Sequence, residues 1–226
     1  MKSISKKAVH SNFRMINKKM EKKELNFEEK LIKSKEVFNG KLISLTVNKV
    51  ELPDKNVTER EVVSHPGAVA IVPVTPQNEV VMVRQYRFAI NRHTLELPAG
   101  TLEKGEKPIV CAKRELEEEI QLRADKWKKL ISIYPSPGYC DEIIHIYLAK
   151  ELKDLTETGS KGENFKDVQN NIRNITKSQS KIKKLEKDEF IKRVIIPLEE
   201  AKNKIFSGEI MDAKTIIGII LVSYIL

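Results

Sequence analysis

Cysteine is scarce in this chain of 226 residues: Cys111 and Cys140 are the only two, without CxxC spacing. That excludes a disulfide framework and makes a reduced, cytoplasmic compartment the expectation. Four histidines are present, and none stands at zinc spacing from another His or a Cys. His65 and His145 are therefore read as structural or substrate-adjacent, at strands or their ends. Long apolar runs are missing too. Ile216 to Leu226 is apolar over only 11 residues, against roughly 20 needed to cross a bilayer, so a buried closing helix is expected and no membrane partner. Met1 to Lys19 lacks the apolar core of a secretory signal and the Arg/Ser bias of a transit peptide.

Charge is abundant but unevenly placed. The formal net charge is +9, of which Met1 to Lys23 supplies +7 and Lys161 to Lys187 supplies +5, leaving −3 for the remainder. A nucleic-acid face should be a patch on the folded domain, whereas this charge sits on apparent appendages, so specific nucleic-acid binding is not expected. Residues 1–20 are read as a basic extension, and Met20 as a candidate native start. The length suits one domain at 61–226 preceded by N-terminal strands at 21–60.

Short apolar runs ending in turn signals mark strands at Lys41 to Leu52, Ala68 to Val74, Val80 to Val83, Leu130 to Tyr134, Ile143 to Ala149 and Lys192 to Ile196. Closing helices are expected at Glu199 to Phe206 and Ala213 to Leu226. Together these give an α+β class. Between them, at about 164–185, Phe165, Val168, Ile172, Ile175, Ile182 and Leu185 fall on one helical stripe. Asn, Ser, Thr and Gln interrupt it, so an amphipathic basic helix and an irregular loop both stay open.

The richest chemistry lies at Gly100–Glu106 and Arg114–Glu119. Pro108 suits a first helical turn, so a loop leads into a helix of about Pro108 to Ile120. On it Glu115, Glu118 and Glu119 share one face, where like charges repel. Hard cations such as Mg²⁺ are held by a few carboxylates, water and substrate phosphate, so a bound metal would offset that repulsion. Arg114 can brace a carboxylate through its planar fork. A Glu-rich solvated face is the plainer reading of Glu117-Glu118-Glu119 taken alone.

The full spacing is more specific. Gly100, five residues, Glu106, seven residues, then Arg-Glu-Leu-x-Glu-Glu-x-x-Leu to Leu122 resembles the Nudix hydrolase signature. Gln121 departs from it where the family has Gly, and a non-Gly residue in the left-handed turn expected there costs on the order of 1 kcal/mol. Leu95–Gly100, Ser64–Val69, Val83–Arg87 and Tyr134–Glu142, with Pro137 fifteen residues after Leu122, resemble the ADP-ribose pyrophosphatase branch.

The resemblance implies a Nudix α/β/α sandwich with a mixed sheet, and N-terminal antiparallel strands swapped between subunits of a homodimer. It implies a small nucleoside diphosphate sugar as substrate, with ADP-ribose hydrolysed to AMP and ribose 5-phosphate, and Mg²⁺, or Mn²⁺, as cofactor. Glu115, Glu118, Glu119 and the main-chain carbonyl of Ala99 are implied as metal ligands. Arg114 and Glu106 would orient them. Glu189 is the chosen general base, with Glu186 and Asp188 as neighbours that could serve instead. Arg60 and Arg87 are implied as substrate contacts, with Arg84 and Glu142 as further candidates. Other Nudix substrates (nucleoside-diphosphate sugars, dinucleoside polyphosphates, RNA 5′ ends) and a catalytically idle nucleotide- or RNA-binding regulator are the alternatives.

Overall fold

The computed structural model describes residues 27–155 and 190–226; the basic extension, Met20, the stripe at 164–185 and Glu189 lie outside them. The chain divides into two units, Met1–Asn39 with Leu45–Val62, and Gly40–Ser44 with Val63–Leu226.

The first unit carries β1 (Lys30–Asn39), β2 (Ser44–Glu51) and β3 (Val57–Ser64) in the order β1-β2-β3. Its connections are too short for a parallel crossover, so neighbouring strands run antiparallel. The β2–β3 turn closes through Lys55 N–H donating to the Leu52 carbonyl, with Lys55 at a left-handed φ of 70°. β1, at the sheet edge, is exposed along its whole length. Its mixture of lysines with Leu31, Ile32, Val37 and Phe38 blurs the alternation by which a strand is recognised in sequence.

In the second unit the strands are β4 (Ala68–Pro73), β5 (Glu79–Arg87), β6 (Arg92–Glu96), β7 (Ala99–Thr101), β8 (Leu122–Ile133), β9 (Ile144–Asp154) and β10 (Lys192–Pro197). The helices are α1 (Pro108–Ile120), α2 (Leu198–Phe206) and α3 (Ala213–Ser223). β4 pairs antiparallel with β7 and parallel with β9, and β8 pairs antiparallel with β9, making a mixed sheet ordered β7-β4-β9-β8. A second, antiparallel sheet is ordered β10-β5-β6.

Every residue of β4 is buried, as expected of a strand covered on both faces. Val69 and Ile71 pack with Cys111, Ala112 and Leu116 of α1, while Ala70 and Val72 pack in a second core with Ile219 and Val222 of α3. The sheet thus lies between α1 and α3, the α/β/α layering and α+β class expected from the sequence. α3 approaches closely because Gly218 has no side chain: a Cβ there would stand 2.6 Å from Leu97 Cδ1 and 2.9 Å from Val72 Cγ2. Asp212 caps this helix by accepting from Thr215 N–H at 3.0 Å.

α1 has the expected bounds, with Pro108 opening it. It ends on Gln121, left-handed at φ 55°, whose N–H reaches the carbonyls of Glu117 and Leu116. Arg193 of β10 donates to the Ile120 carbonyl at 2.8 Å, satisfying another terminal acceptor. The tight turn feeds straight into β8, which therefore begins at Leu122 rather than Leu130. Its first half is charged and pairs through Lys153–Asp125 and Lys126–Glu151 bridges instead of apolar alternation. α3 stops at Ser223, short of Leu226. Among the described residues no helix is long and apolar enough to cross a membrane.

Candidate active site

One guanidinium organises the entry to α1. Arg114 grips Glu106 with two bonds, Nε to Oε1 and Nη2 to Oε2, both at 3.1 Å. Its Nη1 donates to Glu115 at 2.6 Å and to Glu118 at 3.0 Å, and Nη2 reaches the Thr101 carbonyl at 3.3 Å. A single cation thus serves three carboxylates, so the group is net negative. Arg114 holds Glu106 far below the usual carboxylate range, at about 2, against an opposing push from burial. The same bonds to Glu106 raise the guanidinium well above its ordinary value, keeping it charged.

β7 presses against this group. Glu119 accepts from the Ala99 N–H at 3.0 Å. Glu115 lies so near Gly100 that a Cβ there would fall 1.9 Å from its carboxyl carbon. Cys111, between them, is buried, and burial first, then the charges of Glu106 and Glu115, push its thiol up to about 12. It is a packing thiol rather than a nucleophile.

The donors this group offers are hard carboxylate oxygens, those of Glu115, Glu118 and Glu119, with the Ala99 main chain beside Glu119. Glu118 remains exposed while Glu115 is nearly buried, so a cation would meet carboxylates on one side and solvent or substrate on the other. That suits a divalent metal sharing its shell with water and phosphate. Among the described residues no three His, Cys, Asp or Glu side chains stand together as a group that could hold a metal ion as they are placed; Arg114 stands among the acids instead.

The other expected site residues are dispersed. Arg87, at the end of β5, pairs with Glu96 of β6 through Nε at 2.9 Å and Nη2 at 2.8 Å. Its charge also feels Asp212 and Glu119, the latter one of the carboxylates of α1. Arg84 is exposed and meets Glu209 at 3.5 Å. Glu142 approaches His65 Nδ1 at 3.6 Å, while that nitrogen accepts from the Gly67 N–H at 3.0 Å. Arg60 belongs to the first unit, where Glu29 holds it through two bonds of 3.1 and 2.7 Å.

The motifs assign no role to Glu96, only 2% exposed although it lies within Leu95–Gly100, nor to Lys214, Asp212 and Cys111. For Glu96 a signal was present: it is a charged residue inside the apolar stretch Thr94–Leu97. Its partner Lys214 lies 118 residues away, beyond any local spacing.

Comparison with known proteins gives this geometry its family. A NUDIX domain family model matches residues 64–212. The chain is 42% identical over 193 residues to a protein named methanol dehydrogenase activator from Bacillus methanolicus, covering 85% of this chain and 91% of that one. It is 40% identical over 190 residues to an ADP-ribose pyrophosphatase of Bacillus subtilis (strain 168), covering 84% and 90%. A solved structure described as an ADP compounds hydrolase superposes with a TM-score of 0.66 at 18% identity, over 88% of this chain and 94% of that one, a likeness of fold. The chain therefore belongs to the Nudix hydrolase family, with ADP-ribose pyrophosphatases among its relatives.

Proposed function

We propose that the protein hydrolyses the pyrophosphate bond of ADP-ribose, giving AMP and ribose 5-phosphate, with Mg²⁺, or Mn²⁺, held by Glu115, Glu118, Glu119 and the Ala99 carbonyl. The observation that carries this reading is the meeting of Glu115 and Glu119 with β7 while Glu118 stays exposed on the same helix face. The bound cation would supply charge neutralisation of the phosphates and a more acidic water.

The protein's own part is positional. Arg114 and Glu106 fix the carboxylates, so their orientation need not be organised when substrate arrives. Gly100 lets the chain pass close beside Glu115. Arg87 borders the site as a phosphate contact, Arg84 and Glu142 are further candidates, and the part assigned to Arg60 rests on the family resemblance alone. Water adds to one phosphorus, the bridging P–O bond breaks, and the water's protons pass to a carboxylate and on to solvent. Glu189 is the base proposed from the resemblance. A homodimer formed through the first unit, and a cytoplasmic location, complete the reading.

The relative named as a methanol dehydrogenase activator supports a second reading, in which the protein acts on a dehydrogenase. One experiment separates the two. Purified protein with Mg²⁺ is given ADP-ribose, a nucleoside-diphosphate sugar, a diadenosine polyphosphate and a triphosphorylated RNA, and products are identified; in parallel it is added to a methanol dehydrogenase. Preferential release of AMP and ribose 5-phosphate, abolished by chelator, is the expected result. Stimulation of the dehydrogenase without ADP-ribose turnover would favour the second reading.

A further inference from the structure

Glu96 is one of the few buried charged residues, and its two oxygens accept four side-chain hydrogen bonds. Oε1 accepts from Arg87 Nε at 2.9 Å and Thr94 Oγ1 at 2.7 Å; Oε2 accepts from Arg87 Nη2 at 2.8 Å and Lys214 Nζ at 2.6 Å. Lys214 also donates to Asp212 at 2.9 Å. Asp212 accepts from the Thr215 hydroxyl at 2.5 Å, and that oxygen accepts the Leu97 N–H at 2.9 Å. The chain of bonds thus runs from β5 through β6 to the start of α3 and back to the segment leading into β7.

A single cation would be enough to compensate one buried carboxylate; a second one, brought from a distant helix, changes what the first can do. With Lys214 filling one Oε2 position, Arg87 is fixed by the Nε/Nη2 edge alone. Its Nη1 makes no hydrogen bond among the described residues, and the side chain is 43% exposed. A two-point grip on one edge of a planar guanidinium sets the direction of the other.

We infer that Glu96 is a positioning residue, which with Lys214 aims the open edge of Arg87 at a substrate phosphate. The inference rests on Arg87 being a phosphate contact under the proposed function. Glu96 itself touches no substrate, so its effect must pass through Arg87.

A double-mutant cycle tests this, with Glu96→Gln made in the natural protein and in Arg87→Ala. Calorimetric binding of ADP-ribose and steady-state hydrolysis are both measured. Glu96→Gln is expected to weaken binding and raise KM about tenfold with kcat little changed, the size of one charged hydrogen bond, and to do nothing further once Arg87 is gone. The same loss in both backgrounds, or no loss in the natural protein, overturns the inference. Should Glu96→Gln fail to fold, Lys214→Met is carried through the same cycle: a loss confined to the background that keeps Arg87 supports the inference, and any other pattern overturns it. Absence of turnover in the natural protein would instead reject the hydrolase reading, and the binding cycle would still decide the role of Glu96.

Discussion

Two charged clusters among the described residues of the second unit are built in opposite ways. At α1 one cation, Arg114, is shared by Glu106, Glu115 and Glu118, and the group is left negative. At β5–β6 one carboxylate, Glu96, is shared by Arg87 and Lys214, and with Asp212 the charges balance. A net negative group on a partly exposed helix face attracts a metal cation. A balanced group with an unspent guanidinium edge can accept a phosphate without stranding a buried charge. Under the proposed function, the contrast would divide the labour of a pyrophosphate hydrolase between two scaffolds, one for the cation and the other for the anion.

The contrast can be broken most severely at Glu118. Glu118→Gln should lower turnover by orders of magnitude with a modest change in substrate affinity, because it removes stabilisation belonging to the transition state; near-normal kcat would remove Glu118 from the metal site. Next comes Gly100→Ala. Its methyl would overlap the Glu115 carboxyl, and since the neighbour is a side chain gripped by Arg114, a displacement is expected to cost about 1–3 kcal/mol of stability along with most activity. Denaturant unfolding and a turnover assay check both effects.

A smaller effect, read by pH, is shared by the two clusters. For Glu96 burial pushes upward, but Arg87, Lys214 and Thr94 outweigh it and hold the group at about 2, below its ordinary 4.5. Glu106 is likewise held at about 2, by Arg114. Between those values the unfolded chain binds more protons, so each group contributes stability that is present above pH 4.5 and lost as pH falls through about 2. Glu106→Gln and Glu96→Gln should each flatten the acid limb of stability measured by denaturant titration across that window. An unchanged limb would contradict the pairing. The smallest change expected is a gain: Gln121→Gly should stabilise the protein by about 1 kcal/mol by relieving its left-handed backbone, as read from the denaturation midpoint.

The two clusters were unequally visible in the sequence. Glu115, Glu118 and Glu119 lie within one turn and a half of helix, and Arg114 is adjacent, so spacing alone places them on one face, and the bounds of α1 follow from Pro108 and the turn at Gln121. Glu96 and Lys214 meet only because α3 packs on β4 at Gly218, a tertiary event with no local signature. The short strands β6 and β7 escaped for the same reason: their partners β5 and β4, rather than their own composition, make them strands. The early start of β8 was hidden by charged residues that pair across the ladder with Glu151 and Lys153.

The decisive measurement is a calorimetric Mg²⁺ titration of the natural protein, Glu118→Gln and Glu96→Gln. The expected result is metal binding that is lost or much weakened in Glu118→Gln and preserved in Glu96→Gln. Binding unaltered by Glu118→Gln, or lost in Glu96→Gln, would contradict the division between a cation-holding helix and an anion-facing strand pair.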